Sequence, residues 1–162
     1  MEKKLIILSG VPGAGKSTLC EKFMKEYGHD CILSPDTLRE MCGAIVRDEK
    51  GNPICIAQDI NSQLFPIYNQ IVELRMSRGA VTVLDATHVD ARAMRDAKRL
   101  AQKYGYSVEV HRLVCSLDTL LDRNTKRGYK NVPADVVRNM YERFCNFIAG
   151  DWYTLVVHNT DN

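Results

Sequence analysis

The sequence predicts an α/β protein in which a parallel sheet is flanked by helices. Short apolar segments alternate with helical segments along the chain, as they do where crossover helices join parallel strands. The stretch Gly10-Val11-Pro12-Gly13-Ala14-Gly15-Lys16-Ser17-Thr18 follows an apolar run and opens a helical segment, a context typical of a phosphate-binding P-loop. The 162 residues, 45% of them hydrophobic, suffice for one domain with a substantial core.

The predicted strands are apolar runs that end at turn residues, and the helices between them begin and end at capping residues. The strands cover residues 4–9, 31–33, 80–85, 107–115 and 154–157. Gly28 ends the first helix, Ser34-Pro35 and Ser116 open two others, and Pro133 begins the last one. The predicted helices cover 18–27, a short segment after 34, 57–77, 90–104, 116–128 and 133–149.

The longest predicted helix, 57–77, has a doubtful residue inside it and an irregular segment before it. Its apolar residues recur at helical spacing: Ile60, Leu64, Ile67, Ile71 and Leu74. Pro66 lacks a backbone N–H, so we expect it to kink or interrupt this helix. The preceding residues 43–56 contain a turn cluster at 48–53, which predicts a mobile connection.

Composition and charge exclude several classes of protein. The net charge of +2 rules out an overall polycation but permits a local basic patch. The six cysteines form no Cys-x-x-Cys pair, which argues against a zinc site and for buried, reduced thiols. The apolar run 5–8 after Lys3-Lys4 is too short for a signal peptide, and no stretch approaches membrane-spanning length. We therefore expect a cytoplasmic protein without a membrane partner.

The P-loop predicts binding of a nucleoside triphosphate. The backbone N–H groups of Gly13, Ala14 and Gly15 can surround a phosphate, and the positive end of the following helix faces the same point. Lys16 would reach the β- and γ-phosphates, and the hydroxyl of Ser17 would bind Mg²⁺. The alternative is a Gly-rich turn that binds nothing.

Asp85 is the second candidate for the phosphate site. It ends the apolar strand 80–85, and a carboxylate at the carboxyl edge of a parallel sheet is placed for Mg²⁺ or a bound water. The alternative is an aspartate that caps a loop after a strand. His88, three residues later, would either touch substrate or cap this loop.

Asp36 and Arg39 are candidates for the acceptor side of the site. They are three residues apart in the short helix after Ser34-Pro35 and therefore share a face. The carboxylate can accept the proton of an acceptor hydroxyl, and the guanidinium can hold a neighbouring phosphate. The alternative is an aspartate that complements the helix dipole and an arginine that pairs with it.

Arginines later in the chain suggest a lid. Arg123 and Arg127 are four apart on one helix face and could close over the triphosphate, with Gly128 as a hinge. The alternative is a solvated face in which Asp118 and Asp122 pair with them. A basic stripe on helix 90–104 is either a solvated surface or a nucleic-acid track: Arg92, Arg95, Lys98, Arg99 and Lys103.

Taken in order, these motifs resemble the 5′-hydroxyl polynucleotide kinase family. The resemblance rests on the P-loop, Ser34-Pro35-Asp36-Thr37-Leu38-Arg39, Leu84-Asp85-Ala86-Thr87, and Arg123-Asn124-Thr125-Lys126-Arg127-Gly128 with Val132-Pro133. It implies an adenylate-kinase-like, P-loop NTPase-type fold with a lid. Relatives often have Asn where this chain has His88, and many carry a further phosphatase or ligase domain.

The resemblance also implies a role for each motif. Lys16 and Ser17 would act at the phosphates and Mg²⁺. Asp36 would be the general base, Arg39 would bind the acceptor's adjoining phosphate, and Arg123 and Arg127 would be the lid arginines on the nucleotide. From their positions in the motifs, we also expect Thr18 at the nucleotide, Asp85 at the metal, and Thr87 and His88 at the acceptor.

The expected function is transfer of the γ-phosphate of ATP to the 5′-hydroxyl end of RNA or DNA in nucleic acid repair, by a single domain over residues 1–162. A small-molecule or nucleoside kinase, and a non-catalytic module that binds nucleoside triphosphates, are the alternatives. The sequence leaves open RNA against DNA, single strand against duplex end, ATP against GTP, oligomeric state, and a stand-alone against an excised domain.

Overall fold

The protein is a parallel sheet of five strands covered on both faces by helices, which confirms the predicted class. A computed structural model describes residues 2–161. The strand order is β2-β5-β1-β6-β7, and every neighbouring pair is parallel. The strands of this sheet are β1 (Lys4–Ser9), β2 (Ile32–Leu33), β5 (Thr82–Leu84), β6 (Ser107–Val114) and β7 (Thr154–Asn159).

Six α-helices connect the strands of the described chain. They are α1 (Lys16–Tyr27), α2 (Pro35–Met41), α3 (Asn61–Ser77), α4 (Arg95–Tyr104), α5 (Leu117–Thr125) and α6 (Ala134–Cys145). Short 3₁₀ turns at His29–Cys31, Arg92–Met94 and Gly128–Lys130 precede β2, precede α4 and follow α5.

The central strand β1 sets the two layers of the core. It pairs with β5 on one side and β6 on the other, and its residues 5–8 are fully buried. Leu5 and Ile7 pack with residues of α3 and α4, whereas Ile6 and Leu8 pack with residues of α1. A strand covered on both faces needs a continuous apolar run, which is what this segment has.

The segment predicted as a mobile connection is instead an antiparallel hairpin. Strands β3 (Ile45–Arg47) and β4 (Pro53–Ile56) pair with each other and form a separate two-stranded sheet. The carboxylate of Asp48 accepts hydrogen bonds from the backbone N–H groups of Lys50 and Asn52, which fixes the turn. The turn residues at 48–53 agree with the prediction, but the strands beside them are short, mostly exposed and without alternation, so the sequence does not indicate them.

Helix α3 differs from its prediction in its start and in its buried face. It begins at Asn61 and continues through Pro66 without interruption. Pro66 lies in the second turn and is exposed, so the missing hydrogen bond falls near the solvated helix start. The buried face is Leu64, Tyr68, Val72 and Met76, whereas Ile67 and Leu74 of the predicted stripe are exposed.

The cysteines divide into two groups. Cys20, Cys31 and Cys115 are buried free thiols, as predicted, but Cys42, Cys55 and Cys145 are exposed. No helix within residues 2–161 combines the length and the apolar character that crossing a membrane requires.

Candidate active site

The P-loop lies between β1 and α1, at the carboxyl edge of the sheet. Gly13 and Gly15 have φ angles of 91° and 97°, which favour glycine. A Cβ at Gly13 would also lie 2.9 Å from the carbonyl oxygen of Leu120. Position 13 therefore requires glycine both for its conformation and for the close approach of α5, and position 15 requires it for its conformation.

Lys16 is directed back over the loop. Its ammonium donates hydrogen bonds to the carbonyl oxygens of Gly10 at 2.8 Å and Val11 at 3.3 Å. Burial lowers the pKa of Lys16 to about 8, Asp85 partly offsets this, and Arg127 lowers it further. A phosphate would replace the loop carbonyls with an acceptor that carries full negative charge.

Asp85 follows β5 and lies within electrostatic range of the P-loop lysine. Its N–H donates to the carbonyl oxygen of Leu33 at 2.9 Å, which holds it beside β2. Its carboxylate raises the pKa of both Lys16 and Arg127. The structure thus places this carboxylate close to Lys16 and Arg127.

The acceptor candidates Asp36 and Arg39 form an ion pair. Arg39 Nη1 lies 2.7 Å from Asp36 Oδ1, and the side chain of Asp36 is 41% exposed whereas that of Arg39 is only 8% exposed. The Nε and Nη2 groups of Arg39 donate to Asn61 Oδ1 at 3.0 and 2.9 Å. Arg39 therefore holds the aspartate while the carboxylate stays open to solvent. Asn61, which begins α3, belongs to no motif and was not predicted.

The two predicted lid arginines occupy different places. Arg123 donates to the carbonyl oxygens of Thr160 at 2.6 Å and Gly13 at 3.5 Å, so it joins α5 to the P-loop and to the chain after β7. Burial lowers the pKa of Arg127, and Asp36 and Asp85 partly offset this. Arg127 is therefore near both carboxylates, between the phosphate and acceptor sides.

Asn124 explains why the lid returns to the core. This residue is buried, and its amide donates to the carbonyl oxygen of Val132 at 2.6 Å and to Asn131 Oδ1 at 2.7 Å. Its own oxygen accepts the N–H of Val132 at 3.1 Å. The segment between Asn124 and Val132, which contains Arg127, is thus closed into a loop by one side chain.

The 3₁₀ turn of this loop contacts the acceptor side. The hydroxyl of Tyr129 donates to Glu40 Oε1 at 2.9 Å, and the ammonium of Lys130 lies 3.2 Å from the same oxygen. Because Glu40 belongs to α2, the lid bridges the helix that carries Asp36 and Arg39.

Thr87 and His88 connect the end of β5 to the P-loop. The carbonyl oxygen of Thr87 accepts the N–H of Gly10 at 2.9 Å. His88 is buried with a φ of 36°, its Nδ1 lies 2.7 Å from the carbonyl oxygen of Leu8, and burial lowers its pKa. The ring of His88 is thus held against β1, on the protein side of the loop.

The basic stripe on α4 is partly neutralised. Lys103 pairs with Glu73 at 2.6 Å, Arg99 lies 4.0 Å from Asp96, and Lys98 lies over the ring of Trp152. These partners agree with a solvated helix surface.

A cavity of about 680 Å³ opens beside the P-loop. It is lined by loop glycines, by Thr18 and Lys22 on one side of α1, by Arg123, and by the end of β7 with the residue that follows it, 158–160. The cavity adjoins the loop glycines, and its volume is in the range of small-molecule sites. The contribution of residues 158–160 was not predicted, because it depends on how β7 joins the sheet.

The protein offers some of the ligands that a magnesium ion needs, but not a complete set. Within residues 2–161 no group of three or more His, Cys, Asp or Glu side chains could hold a metal by itself. The hydroxyl of Ser17 and the carboxylate of Asp85 are oxygen donors, which suit Mg²⁺ when nucleotide phosphates supply further oxygens. The donor set therefore fits a metal that arrives with a nucleotide.

Comparison with known proteins agrees with a P-loop fold and with nucleotide chemistry. Residues 5–146 match the model of the AAA domain family (AAA_33). The L-seryl-tRNA(Sec) kinase of Methanococcus maripaludis is 31% identical over 144 residues, which are 86% of this chain and 52% of that protein. The chain thus spans about half the length of this curated relative.

Two solved structures share the fold. A putative kinase from Chloroflexus aurantiacus superposes with a TM-score of 0.71 at 19% identity, over 98% of this chain and 88% of that one. A chain of the Pnkp1/Rnl/Hen1 RNA repair complex gives a TM-score of 0.69 at 20% identity, over 88% of this chain and 44% of that one.

Nucleotide binding should depend on the protonation of Lys16. Because the pKa of Lys16 is about 8 without a ligand, and a bound phosphate favours the charged form, binding should take up a proton above that pH. The affinity for ADP should therefore be constant below pH 7 and should fall by up to about tenfold per pH unit above pH 8. Calorimetric titrations between pH 6.5 and 9.5 measure both quantities. The variant Lys16→Met should bind weakly and without this slope, and a flat profile for the unaltered protein would contradict the assignment.

Replacing Asn124 should loosen the lid. In Asn124→Ala the N–H and carbonyl of Val132 lose their partner, and leaving buried polar groups unpaired costs about 1–3 kcal/mol. We expect a lower free energy of unfolding in urea and lower phosphoryl transfer at saturating nucleotide. The control is Lys126→Ala on the same helix end, which removes only the exposed pair with Asp122 and should stay within about 0.5 kcal/mol. Equal effects of the two variants would show that Asn124 does not hold the lid.

Proposed function

Because the chain belongs to the AAA domain family, we propose that it is a P-loop kinase that transfers the γ-phosphate of ATP to a 5′-hydroxyl end of RNA or DNA. The observation that carries the proposal is the arrangement of Asp36. Its exposed carboxylate is paired with the buried Arg39. The lid residue Arg127 interacts electrostatically both with Asp36 and with Asp85 at the phosphate site. A phosphate donor and a hydroxyl acceptor can meet between these groups.

Each residue then has one chemical task. Asp36 accepts the proton of the acceptor hydroxyl as its oxygen forms a bond to the γ-phosphorus. The bond from that phosphorus to the β,γ-bridging oxygen breaks, and ADP leaves with the electron pair. Lys16 and Arg127 stabilise the negative charge on the transferred group. Mg²⁺, held by Ser17 and Asp85 when nucleotide is bound, would supply further positive charge.

Two observations support a nucleic acid acceptor. Arg39 lies directly beside the proposed base, and two of its five N–H donors have no acceptor among residues 2–161. A phosphate next to the reacting hydroxyl could use them. The shared fold with the RNA repair complex and the match to a kinase named for tRNA are consistent with an RNA acceptor.

The alternative of a small-molecule kinase also has support in the structure. Tyr129 and Lys130 bridge to Glu40, so the lid contacts the acceptor helix in the conformation described, although the side chain of Asp36 is 41% exposed. A lid attached to the acceptor helix leaves less room for a polynucleotide end than for a small alcohol. The two proposals differ in what Arg39 recognises, and this difference can be measured.

Asp36→Asn should remove the base and keep the nucleotide site. Loss of a positioned general base costs about 100- to 10,000-fold in rate. We expect this fall in transfer from γ-labelled ATP, with the dissociation constant for ADP unchanged. Asp30→Asn, which removes an exposed partner of Arg75, is the matched control and should be fully active. A parallel loss of ADP affinity would make Asp36 a structural residue.

The acceptor itself can be identified with a short series of alcohols. If Arg39 holds a phosphate next to the reacting hydroxyl, kcat/KM should rise by at least about 100-fold from a nucleoside to a 3′-nucleotide. An oligonucleotide with a 5′-hydroxyl should bind more tightly, with an affinity that falls as salt rises. Arg39→Lys should lose much of this preference, because lysine cannot make the forked contact. Equal values for nucleoside and oligonucleotide would reject a polynucleotide acceptor and favour the small-molecule kinase.

A further inference from the structure

A chain of charged and polar side chains runs through the protein to the cavity beside the P-loop. The ammonium of Lys4 lies 3.0 Å from Glu109 Oε1, and Glu109 Oε2 lies 3.0 Å from His111 Nε2. The other ring nitrogen of His111, Nδ1, lies 2.9 Å from His158 Nε2. His158 lines the cavity, so the chain ends at the cavity.

Neighbouring side chains hold the two imidazoles in place. Their planes are inclined by only 18°, and the ring of Phe23 meets His111 edge-on with centroids 5.1 Å apart. β6 and β7 pair in parallel with His111 opposite Val156, which brings His158 two residues further along the edge. The position of His158 is therefore set by strand register and by packing.

The hydrogen bonds also fix which nitrogens carry protons. Glu109 is an acceptor, because His111 and Lys4 lower its pKa, so His111 Nε2 carries the proton between them. His111 Nδ1 in the neutral ring is then an acceptor, and His158 Nε2 must donate to it. This leaves His158 Nδ1 as an unprotonated acceptor with no hydrogen-bond partner among residues 2–161.

We propose that His158 selects the nucleobase by accepting a hydrogen bond from an exocyclic amino group, and that the site therefore prefers adenine over 6-oxopurines. The inference rests on the proposed function, since it assigns the cavity to the nucleoside of the phosphate donor. Glu109 and His111 are positioning residues, which act by keeping Nδ1 free of a proton. The oxo group of a 6-oxopurine has no proton to donate to His158 Nδ1, and its lone pairs would face the lone pair of that nitrogen.

The surroundings of His158 favour its neutral form. Burial lowers the pKa of His158, and His111 and Lys22 lower it further. Arg123 on α5 also lines the cavity, and Glu109 is the only carboxylate with a hydrogen bond to the pair within residues 2–161. If the pair takes up one proton, that proton resides formally on His158 or on His111, in which case His111 donates to His158 Nε2. In both cases His158 Nδ1 carries a hydrogen and becomes a donor.

Binding of diphosphates in the absence of an acceptor tests this directly. ADP and purine riboside 5′-diphosphate differ only at position 6 of the purine, with an amino group against hydrogen, whereas IDP has an oxo group there and a proton on N1. At pH 7.5 we expect ADP to bind about 3- to 10-fold more tightly than the purine riboside compound, the effect of one hydrogen bond, and IDP to bind most weakly. In His158→Ala the three affinities should converge. Glu109→Gln should reduce the preference for ADP, because an amide can both donate and accept and so does not fix which nitrogen of His111 carries the proton.

The controls separate this inference from the proposed function. His29→Ala changes an exposed histidine outside the cavity and should keep the full preference. At pH 5.5 the ratio of ADP to IDP affinity should shrink in the unaltered protein and stay constant in His158→Ala. Equal binding of the three diphosphates, or a preference that survives in folded His158→Ala, would overturn the role of His158. Failure of all three to bind would reject the nucleotide site, and with it both proposals.

Discussion

The active site depends on the position of one backbone loop between β1 and α1. Three distant segments hold this loop through backbone atoms: the N–H of Gly10 reaches Thr87, Gly13 packs against Leu120, and the carbonyl of Ala14 accepts the hydroxyl of Thr160 at 2.8 Å. Each contact comes from the end of a different strand or from α5. In all three contacts the loop contributes backbone atoms, while the side chains of Val11 and Ala14 are buried in the core beneath it.

The charges around this loop are balanced across two sides. Lys16 and Arg127 have their pKa lowered by burial, and Asp85 opposes the shift of both. Asp36 opposes the shift of Arg127, which ties the acceptor side to the lid. Two cations thus lie near two carboxylates, and a bound polyphosphate would favour the charged forms of Lys16 and Arg127. Burial strengthens these effects, because charges interact more strongly where water is excluded.

The parts of the fold that could be predicted are those set by local sequence. The strand Lys4–Ser9, the P-loop and the Ser34-Pro35 helix start follow from apolar runs and capping residues. The hairpin β3–β4 was missed because its short strands are mostly exposed and lack alternation. The face of α3 was also wrong: Tyr68, Val72 and Met76 are buried in place of Ile67 and Leu74. Apolar spacing finds a helix, but the neighbouring elements decide which of its faces is covered.

The site residues that were missed depend on contacts between distant segments. Asn61 meets Arg39 across 22 positions, and His158 meets His111 across 47. One signal was available, because Glu109 and His111 are two apart on a predicted strand and so share a face. Asn124 was quoted within the lid motif without a role, and its bonds to Val132 now supply one. Side chains that position a reactive group contact it from a distant part of the chain. A local sequence motif therefore identifies the reactive residue but not the residue that positions it.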